Sequence, residues 1–334
     1  MVSAVIFVAT SCVSPLTGFA FWETNLAYEG ESIYNYLQVK NLSDRTILST
    51  NVLFGVQSVT MKDKGLTGMY YDTALAAPAL ADNANSALIL GMGTGTYARQ
   101  LKQYYPKMNI TGVGIDQKIT DLAGEYFDEP ADIPVTTYDG RAWLAASHDK
   151  YDVIMVDAYQ DITIPFQMSS TEFFTMVREH LNPGGVMVVN MNMISDGQGS
   201  INEALSDTIA SVFGNGNTLT ADVPNTTNRE LFAKKPGSGS EENSMQQASK
   251  ALNLRETTYE RTGSEDLEWY MEEVASRFRK VNEPDSASTI LADDKAPVEV
   301  LGMHAIDQII ADEAGPYRQI LKDEGFGGLL RAVQ

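Results

Sequence analysis

The stretch from Ser86 to Asp116 constrains this chain more than any other. Ser86-Ala87-Leu88-Ile89-Leu90 is a short apolar run, the length of one buried strand. It breaks into Gly91-Met92-Gly93-Thr94-Gly95-Thr96-Tyr97, and a helical pattern carrying Ala98, Leu101 and Tyr104 follows. A second apolar run, Ile110 to Ile115, ends on Asp116. A strand, a glycine turn, a helix and a second strand ending in an acid, about 20 residues beyond the glycines, form the nucleotide-binding half of a doubly wound sheet. Glycines let backbone N–H groups approach a ligand, a helix N-terminus favours electronegative groups, and the acid accepts hydrogen bonds from ribose hydroxyls. Gly91, Gly93, Gly95 and Asp116 are therefore the first candidate nucleoside-binding residues.

The alternation continues downstream. A helix is expected from Ile119 to Tyr126, a strand from Pro134 to Tyr138, a helix opening at Asp139-Gly140-Arg141, and a strand from Tyr151 to Val156. A helix from Thr171 to Leu181 follows, stopped by Asn182-Pro183-Gly184-Gly185 before a strand from Val186 to Asn190. This pattern predicts a parallel sheet covered on both faces, with ligands beyond the carboxyl ends of its strands. Three of those ends carry Asp116, Asp139 and Asp157, which makes that edge the expected site. Ile201 to Phe213 reads as an amphipathic helix, and Thr218 to Ala221 with Glu230 to Ala233 as an antiparallel pair closing the sheet.

Upstream, Ile33 to Val39, Arg45 to Thr50 and Val52 to Val59 alternate apolar and polar, predicting a small antiparallel sheet. Gly65 to Ala77 reads as a helix ended by Pro78. Pro236 to Glu242 has linker composition, and helical segments are expected near Ser244 to Leu252, Ser264 to Val281 and Ala305 to Ala314. The expected divisions are an apolar segment over 1–24, a β-domain over 25–80, a nucleoside-binding domain over 81–235, a linker over 236–248 and a helical segment over 249–334.

Composition narrows the partners. The 334 residues hold 44 acids against 24 bases, a formal charge of −20, which argues against nucleic acid and suits a cationic substrate. The single cysteine, Cys12, excludes an internal disulfide, and His148, His180 and His304 share no metal-ligand spacing, so no metal is expected. Residues 1–21 are partly apolar and contain no Lys or Arg, and Ser11, Ser14, Pro15 and Gly18 interrupt any spanning helix. Ala9-Thr10-Ser11-Cys12 faintly resembles a lipoprotein cleavage site. A cytoplasmic protein is expected, with the apolar N-terminus as the one feature favouring membrane association.

Between Glu31 and Glu299 lie, in order, Tyr34 to Val39, Gly55-Val56-Gln57-Ser58-Val59, Leu66 to Asp72, the glycine turn, Asp139-Gly140-Arg141-Ala142, Tyr151 to Tyr159 and Asp293 to Glu299. Through these segments the chain resembles the spermidine synthase family, the polyamine aminopropyltransferases, in particular its bacterial spermidine synthase-like branch. It implies an α/β fold, a doubly wound Rossmann-like sheet of the class I methyltransferase type, preceded by a small antiparallel β-domain and followed by C-terminal helices. It also implies an aminopropyl donor, decarboxylated S-adenosylmethionine, an amine acceptor such as putrescine, methylthioadenosine as product, and a homodimer. Asp157 and Tyr71 are the implied catalytic residues; Asp139, Gly140 and Gln57 join the glycines and Asp116 at the cofactor; Asp161, Tyr159 and Asp72 are the implied substrate contacts.

The chain departs from the family pattern at four places. Thr94 stands where the family carries the acid facing the aminopropyl amine, and Gln160 replaces its second aspartate, with Asp161 one place on. Tyr71-Asp72-Thr73 lacks the glutamate of the substrate helix, and Gly114 replaces the glutamate that grips both ribose hydroxyls. These departures keep two other readings open: a methyltransferase using S-adenosylmethionine itself, and a non-catalytic nucleoside-binding or membrane-associated homologue.

Overall fold

The computed structural model describes residues 23–51, 56–128, 130, 132–159, 164–192, 199–214, 216–237, 254–303 and 322. Four antiparallel strands, β1 (Leu26–Glu31), β2 (Tyr36–Asn41), β3 (Arg45–Thr50) and β4 (Ser58–Met61), make a small sheet in sequence order. Two short helices, α1 (Tyr70–Ala74) and α2 (Ala76–Leu80), lead from it into the main sheet. There β5 (Ser86–Leu90), α3 (Thr96–Tyr104), β6 (Asn109–Gly114), α4 (Gln117–Tyr126), β7 (Val135–Thr137), α5 (Gly140–Ala146), β8 (Tyr151–Val156), α6 (Thr171–His180) and β9 (Leu181–Met191) alternate. The chain then adds α7 (Ile201–Phe213), β10 (Thr218–Asp222), β11 (Arg229–Lys234), α8 (Leu254–Thr262), α9 (Glu265–Arg277) and β12 (Arg279–Lys280).

The main sheet has the order β12-β10-β11-β9-β8-β5-β6-β7, parallel from β9 to β7 and antiparallel from β9 to β12. Every residue of β8, Tyr-Asp-Val-Ile-Met-Val, is buried, as a central parallel strand covered on both faces requires. The connections run from β5 outward to β6 and β7, then cross back to β8 on the other side of β5. That reversal opens a crevice beyond Leu90 and Val156, where such sheets bind ligands.

Each sheet face has its own core. Val153, Met155, Val186 and Val188 pack under α1, α2, α3 and the C-terminal helices, through Leu75, Tyr97, Leu101, Leu254, Leu267 and Met271. Leu88, Ile154, Met187 and Val189 pack under α6 and α7 through Phe173, Phe174, Val177, Leu205 and Ile209. Leu122 and Phe127, at the end of α4, pack instead against Leu37, Val39 and Leu48 of the small sheet. Burying a side chain of this size contributes roughly 1.5–3 kcal/mol, so α4 is what fastens the small sheet over the site.

Several boundaries differ from the sequence expectations for physical reasons. β1 was not anticipated, and Ser32 to Asn35, expected as strand, is a turn closed by the Ser32 N–H to Asn35 carbonyl bond of 2.8 Å. The helix expected from Gly65 to Ala77 splits at Leu75, and Gly65 and Gly68 lie outside it with φ of 157° and 73°. Pro78 does not end it: it sits in the first turn of α2, where its missing N–H would have had no partner within the helix. Asn182 to Gly185 is not a separate stop but the irregular start of β9, whose register with β8 jumps between Tyr151 and Val153. The C-terminal helices are not an appendage, because their apolar faces complete the main core and β12 extends the sheet. The helix expected from Ser264 to Val281 stops at Arg277, and the chain turns into β12.

Residues 52–55 of the strand expected from Val52 to Val59, most of the 236–248 linker, the helices near Ser244 to Leu252 and Ala305 to Ala314, and residues 1–22 of the apolar segment expected over 1–24 lie outside the described residues. Among the described residues no helix is long and apolar enough to cross a membrane.

Candidate active site

The glycine turn owes its composition to close backbone approach. Gly91 has φ 96°, and a Cβ there would fall 2.2 Å from the carbonyl oxygen of Asp157. Any side chain would push β5 and β8 apart at the crevice. Gly93 has φ 55° and lies against the Ser58 hydroxyl, which accepts the Thr94 N–H at 3.3 Å. The small sheet is tied to the same turn by Thr96, whose hydroxyl donates to the Val59 carbonyl at 2.8 Å and accepts its N–H at 3.1 Å. Gln57 and Ser58 are thereby carried onto the cleft wall.

The cleft has a volume of about 570 Å³ and lies between the small sheet and the carboxyl edge of the main one. Gly91, Gly93, Asp116, Asp139, Gly140 and Gln57 line it, with Asp157, Tyr71 and Tyr159. Gly95 does not: it caps α3 with φ 80°. Asp72, expected at the substrate, is 1% exposed and faces away from the cleft. Its carboxylate accepts the Thr67 N–H and hydroxyl at 2.9 Å each and the Gly68 N–H at 2.6 Å, so it holds the loop before α1. Asp161 and Gln160 lie outside the described residues.

Asp157 stands one residue beyond β8. Its Oδ2 accepts the Tyr70 hydroxyl at 2.7 Å and its Oδ1 accepts the Asn190 side-chain amide at 2.9 Å. Burial in the cleft wall pushes this carboxyl up to about 7, against the opposing pull of the Asn190 and Tyr70 hydrogen bonds. Burial, and then the charge of Asp157, push the Tyr70 phenol well above its ordinary value, so it remains a donor. Asn190 is held in turn, its Oδ1 accepting from the Asn228 amide at 2.9 Å.

Tyr71, implied as a catalytic residue, lines the cleft, and the hydroxyl bonded to Asp157 is that of its neighbour Tyr70. The two rings are 4.0 Å apart, and the Tyr71 hydroxyl donates to the Gln57 carbonyl at 2.8 Å. Burial pushes its phenol up as well, with Asp157 contributing. Tyr159 has its hydroxyl engaged by backbone: it donates to the Asn190 carbonyl and accepts the Asn192 N–H at 2.8 Å. Tyr70, Asn190 and Asn228 were missed. Asn190 did carry a signal, since it ends the apolar run Val186 to Val189 as Asp157 ends Val153 to Val156.

At the other end of the cleft, Asp116 was expected to accept ribose hydroxyls, and it is largely engaged by the protein itself. Oδ2 accepts the Ser32 hydroxyl at 2.6 Å and the Asn35 amide at 3.1 Å, while Oδ1 accepts the Lys118 N–H at 3.0 Å and caps α4. Asp139 likewise caps α5 through the Ala142 N–H at 2.8 Å. Gly114 lies open to the cleft: a Cβ there would meet only Met92, at 3.7 Å. Thr94 is fully buried and does not reach the cleft. Arg141 of the Asp139-Gly140-Arg141 motif forms two bonds of 2.7 and 2.6 Å with Asp293, joining two segments far apart in sequence beside the cleft.

A family model for the spermine/spermidine synthase domain matches residues 69–235. A Bifidobacterium longum protein described as a probable polyamine aminopropyl transferase is 99% identical over 334 residues, all of this chain and 75% of that protein. A polyamine aminopropyltransferase of Vibrio vulnificus is 27% identical over 209 residues, 60% of this chain and 69% of that protein. Another, of Corynebacterium efficiens, is 36% identical over 131 residues, 36% of this chain and 25% of that protein. Among solved structures, a probable spermidine synthase from Corynebacterium glutamicum aligns with a TM-score of 0.55 at 20% identity, covering 79% of this chain and 98% of that one. A spermidine synthase in complex with the transition-state analogue AdoDATO aligns with a TM-score of 0.52 at 19% identity, over 63% of this chain and 74% of that one. These two share the fold, and with the family model and the 99% identical relative they lead to one conclusion: this chain belongs to the spermine/spermidine synthase family.

Proposed function

We propose that this chain transfers the aminopropyl group of decarboxylated S-adenosylmethionine to a small amine such as putrescine and releases methylthioadenosine. The observation that carries this reading is Asp157, a cleft-wall carboxyl oriented by Tyr70 and Asn190 and raised to about 7. The neutral amine nitrogen attacks the carbon next to the sulfonium. As the new N–C bond forms, the C–S bond breaks, and its electron pair stays on sulfur as a thioether. The attacking nitrogen becomes an ammonium, and Asp157 takes its proton. A carboxylate matched to neutral pH suits that transfer, and the two hydrogen bonds keep its oxygen on the amine's path.

The donor's nucleoside fits along Gly91, Gly93, Asp139 and Gly140, with Gln57 and Tyr71 closing over it from the small sheet side. With Gly114 in place of an acid, the ribose has fewer charged partners, so nucleoside affinity rests more on the glycine turn and the adenine end. The test is mass spectrometry of the products formed from decarboxylated S-adenosylmethionine and putrescine. Methylthioadenosine and spermidine in equal amounts are expected, and no aminopropylated product from any of a panel of diamines would sink the reading. A methylated amine formed from S-adenosylmethionine would replace it with methyl transfer.

A further inference from the structure

One carboxyl near the site is used by none of these steps. Glu230 of β11 is fully buried, and among the described residues neither of its oxygens has a hydrogen-bond partner. It pairs in register with Asn190 of β9, so the two side chains share one face of the sheet. Asn190 donates to Asp157, the next position across. Glu230, Asn190 and Asp157 thus form a lateral row at the carboxyl edge, the two acids two strands apart, roughly 10 Å at the backbone. The titratable groups that bear on Glu230 are Asp157 beyond β8, Tyr159 in the following segment and Tyr97 of α3. Lys234, on the same face of β11, is engaged elsewhere by the Leu80 carbonyl and Asp82.

A buried carboxyl without a partner costs stability, and an apolar residue of similar size in this core would cost less. We infer that Glu230 is a second carboxyl of the amine site, a positioning residue that acts through the Asn190–Asp157 pair by adding negative charge behind it when a cationic amine occupies the cleft. Among the described residues no positive charge bears on Glu230 in the free protein, and burial, then the charge of Asp157, raise its proton affinity. When an ammonium group settles against Asp157, it cancels the negative charge that Asp157 presents to Glu230. Glu230 then ionises, its O–H proton passing to solvent while the electron pair stays on the carboxylate. Amine binding is thereby coupled to proton release.

The inference rests on the aminopropyl-transfer reading, and one titration separates the two. Putrescine is titrated calorimetrically into protein saturated with methylthioadenosine, at neutral pH, in buffers of different ionisation enthalpy. The wild type is expected to release up to about one proton more than Glu230→Gln, by linkage between binding and ionisation. Glu230→Gln is expected to bind putrescine about tenfold more weakly, the effect of one charge at this separation. Its methylthioadenosine affinity should not change, and it should melt at the same temperature or higher. Equal proton release in the two proteins would overturn the inference. So would a lowered melting temperature with both ligands weakened alike, which is the behaviour of a structural residue. If Glu230→Gln does not fold, the apolar variant Glu230→Met decides: a proton count below that of the wild type supports Glu230, and a count equal to the wild type overturns the inference. A wild type that binds methylthioadenosine but not putrescine removes the amine-site reading and this inference with it.

Discussion

The two ends of the cleft use their aspartates in opposite ways. Asp157 and Asp116 both follow apolar strands at the same sheet edge; Asp157 accepts hydrogen bonds from two other segments, and Asp116 from one other segment and from the helix that it caps. Around Asp157 those partners, Tyr70 and Asn190, line the cleft themselves and hold the carboxyl at its wall. Around Asp116 the partners are the Ser32–Asn35 turn and the first turn of α4, so the carboxylate fastens the small sheet to the large one. The difference teaches that an acid at a strand end is a place for chemistry only where its hydrogen bonds leave it facing a ligand.

Asp157→Asn breaks the amine end and carries the largest expected effect, a loss of roughly 10²–10⁴ in kcat for a general base. The same variant reports on stability. The folded-state proton affinity of Asp157, about 7, lies above the ordinary 3.8, so folding takes up protons between those values. Wild-type stability therefore falls as pH rises through that window, and Asp157→Asn should flatten the slope in denaturant titrations. Gly114→Glu sharpens the comparison from the other end. A Cβ at Gly114 meets nothing closer than Met92, so the acid has room to reach the ribose. Two charged hydrogen bonds would tighten methylthioadenosine binding by roughly a hundredfold in calorimetry. An unchanged affinity would mean the ribose lies elsewhere.

Tyr70→Phe deletes one of the two bonds to Asp157 and is expected to lower kcat/KM about tenfold. Because the Tyr70 bond lowers the proton affinity of Asp157, its loss should move the acid limb of the pH–rate profile upward, and Tyr71→Phe should leave that limb in place. Asp116→Ala has the smallest expected effect on function. It should cost about 1–2 kcal/mol of stability through the lost cap and turn contacts, with methylthioadenosine affinity almost unchanged. A large loss of affinity with normal melting would return Asp116 to the ribose.

The sequence read this fold well because its signals are local. The apolar run Ser86 to Leu90, the glycine turn and the period of Ile201 to Phe213 each encode an element within a few residues, and the element order implies the sheet. The strand-end rule pointed to Asp157, which lines the cleft, and the resemblance carried by several short motifs found the family. The choice between Tyr70 and Tyr71 was not legible, because neighbours on a helix point roughly 100° apart and only the placement of α1 over the sheet decides which reaches Asp157.

By itself, the sequence determined the doubly wound architecture, the edge where the cleft lies and the aspartate that ends its central strand, all consequences of backbone periodicity and of where glycine is required. Tertiary structure alone decided which acids are free to act. Asp72 and Asp116 are consumed by hydrogen bonds to segments that pack against them, and Glu230 is left buried beside Asn190 without a partner among the described residues. The physical reason is that a carboxylate's role is set by what surrounds it, and strands and loops distant in sequence supply those surroundings.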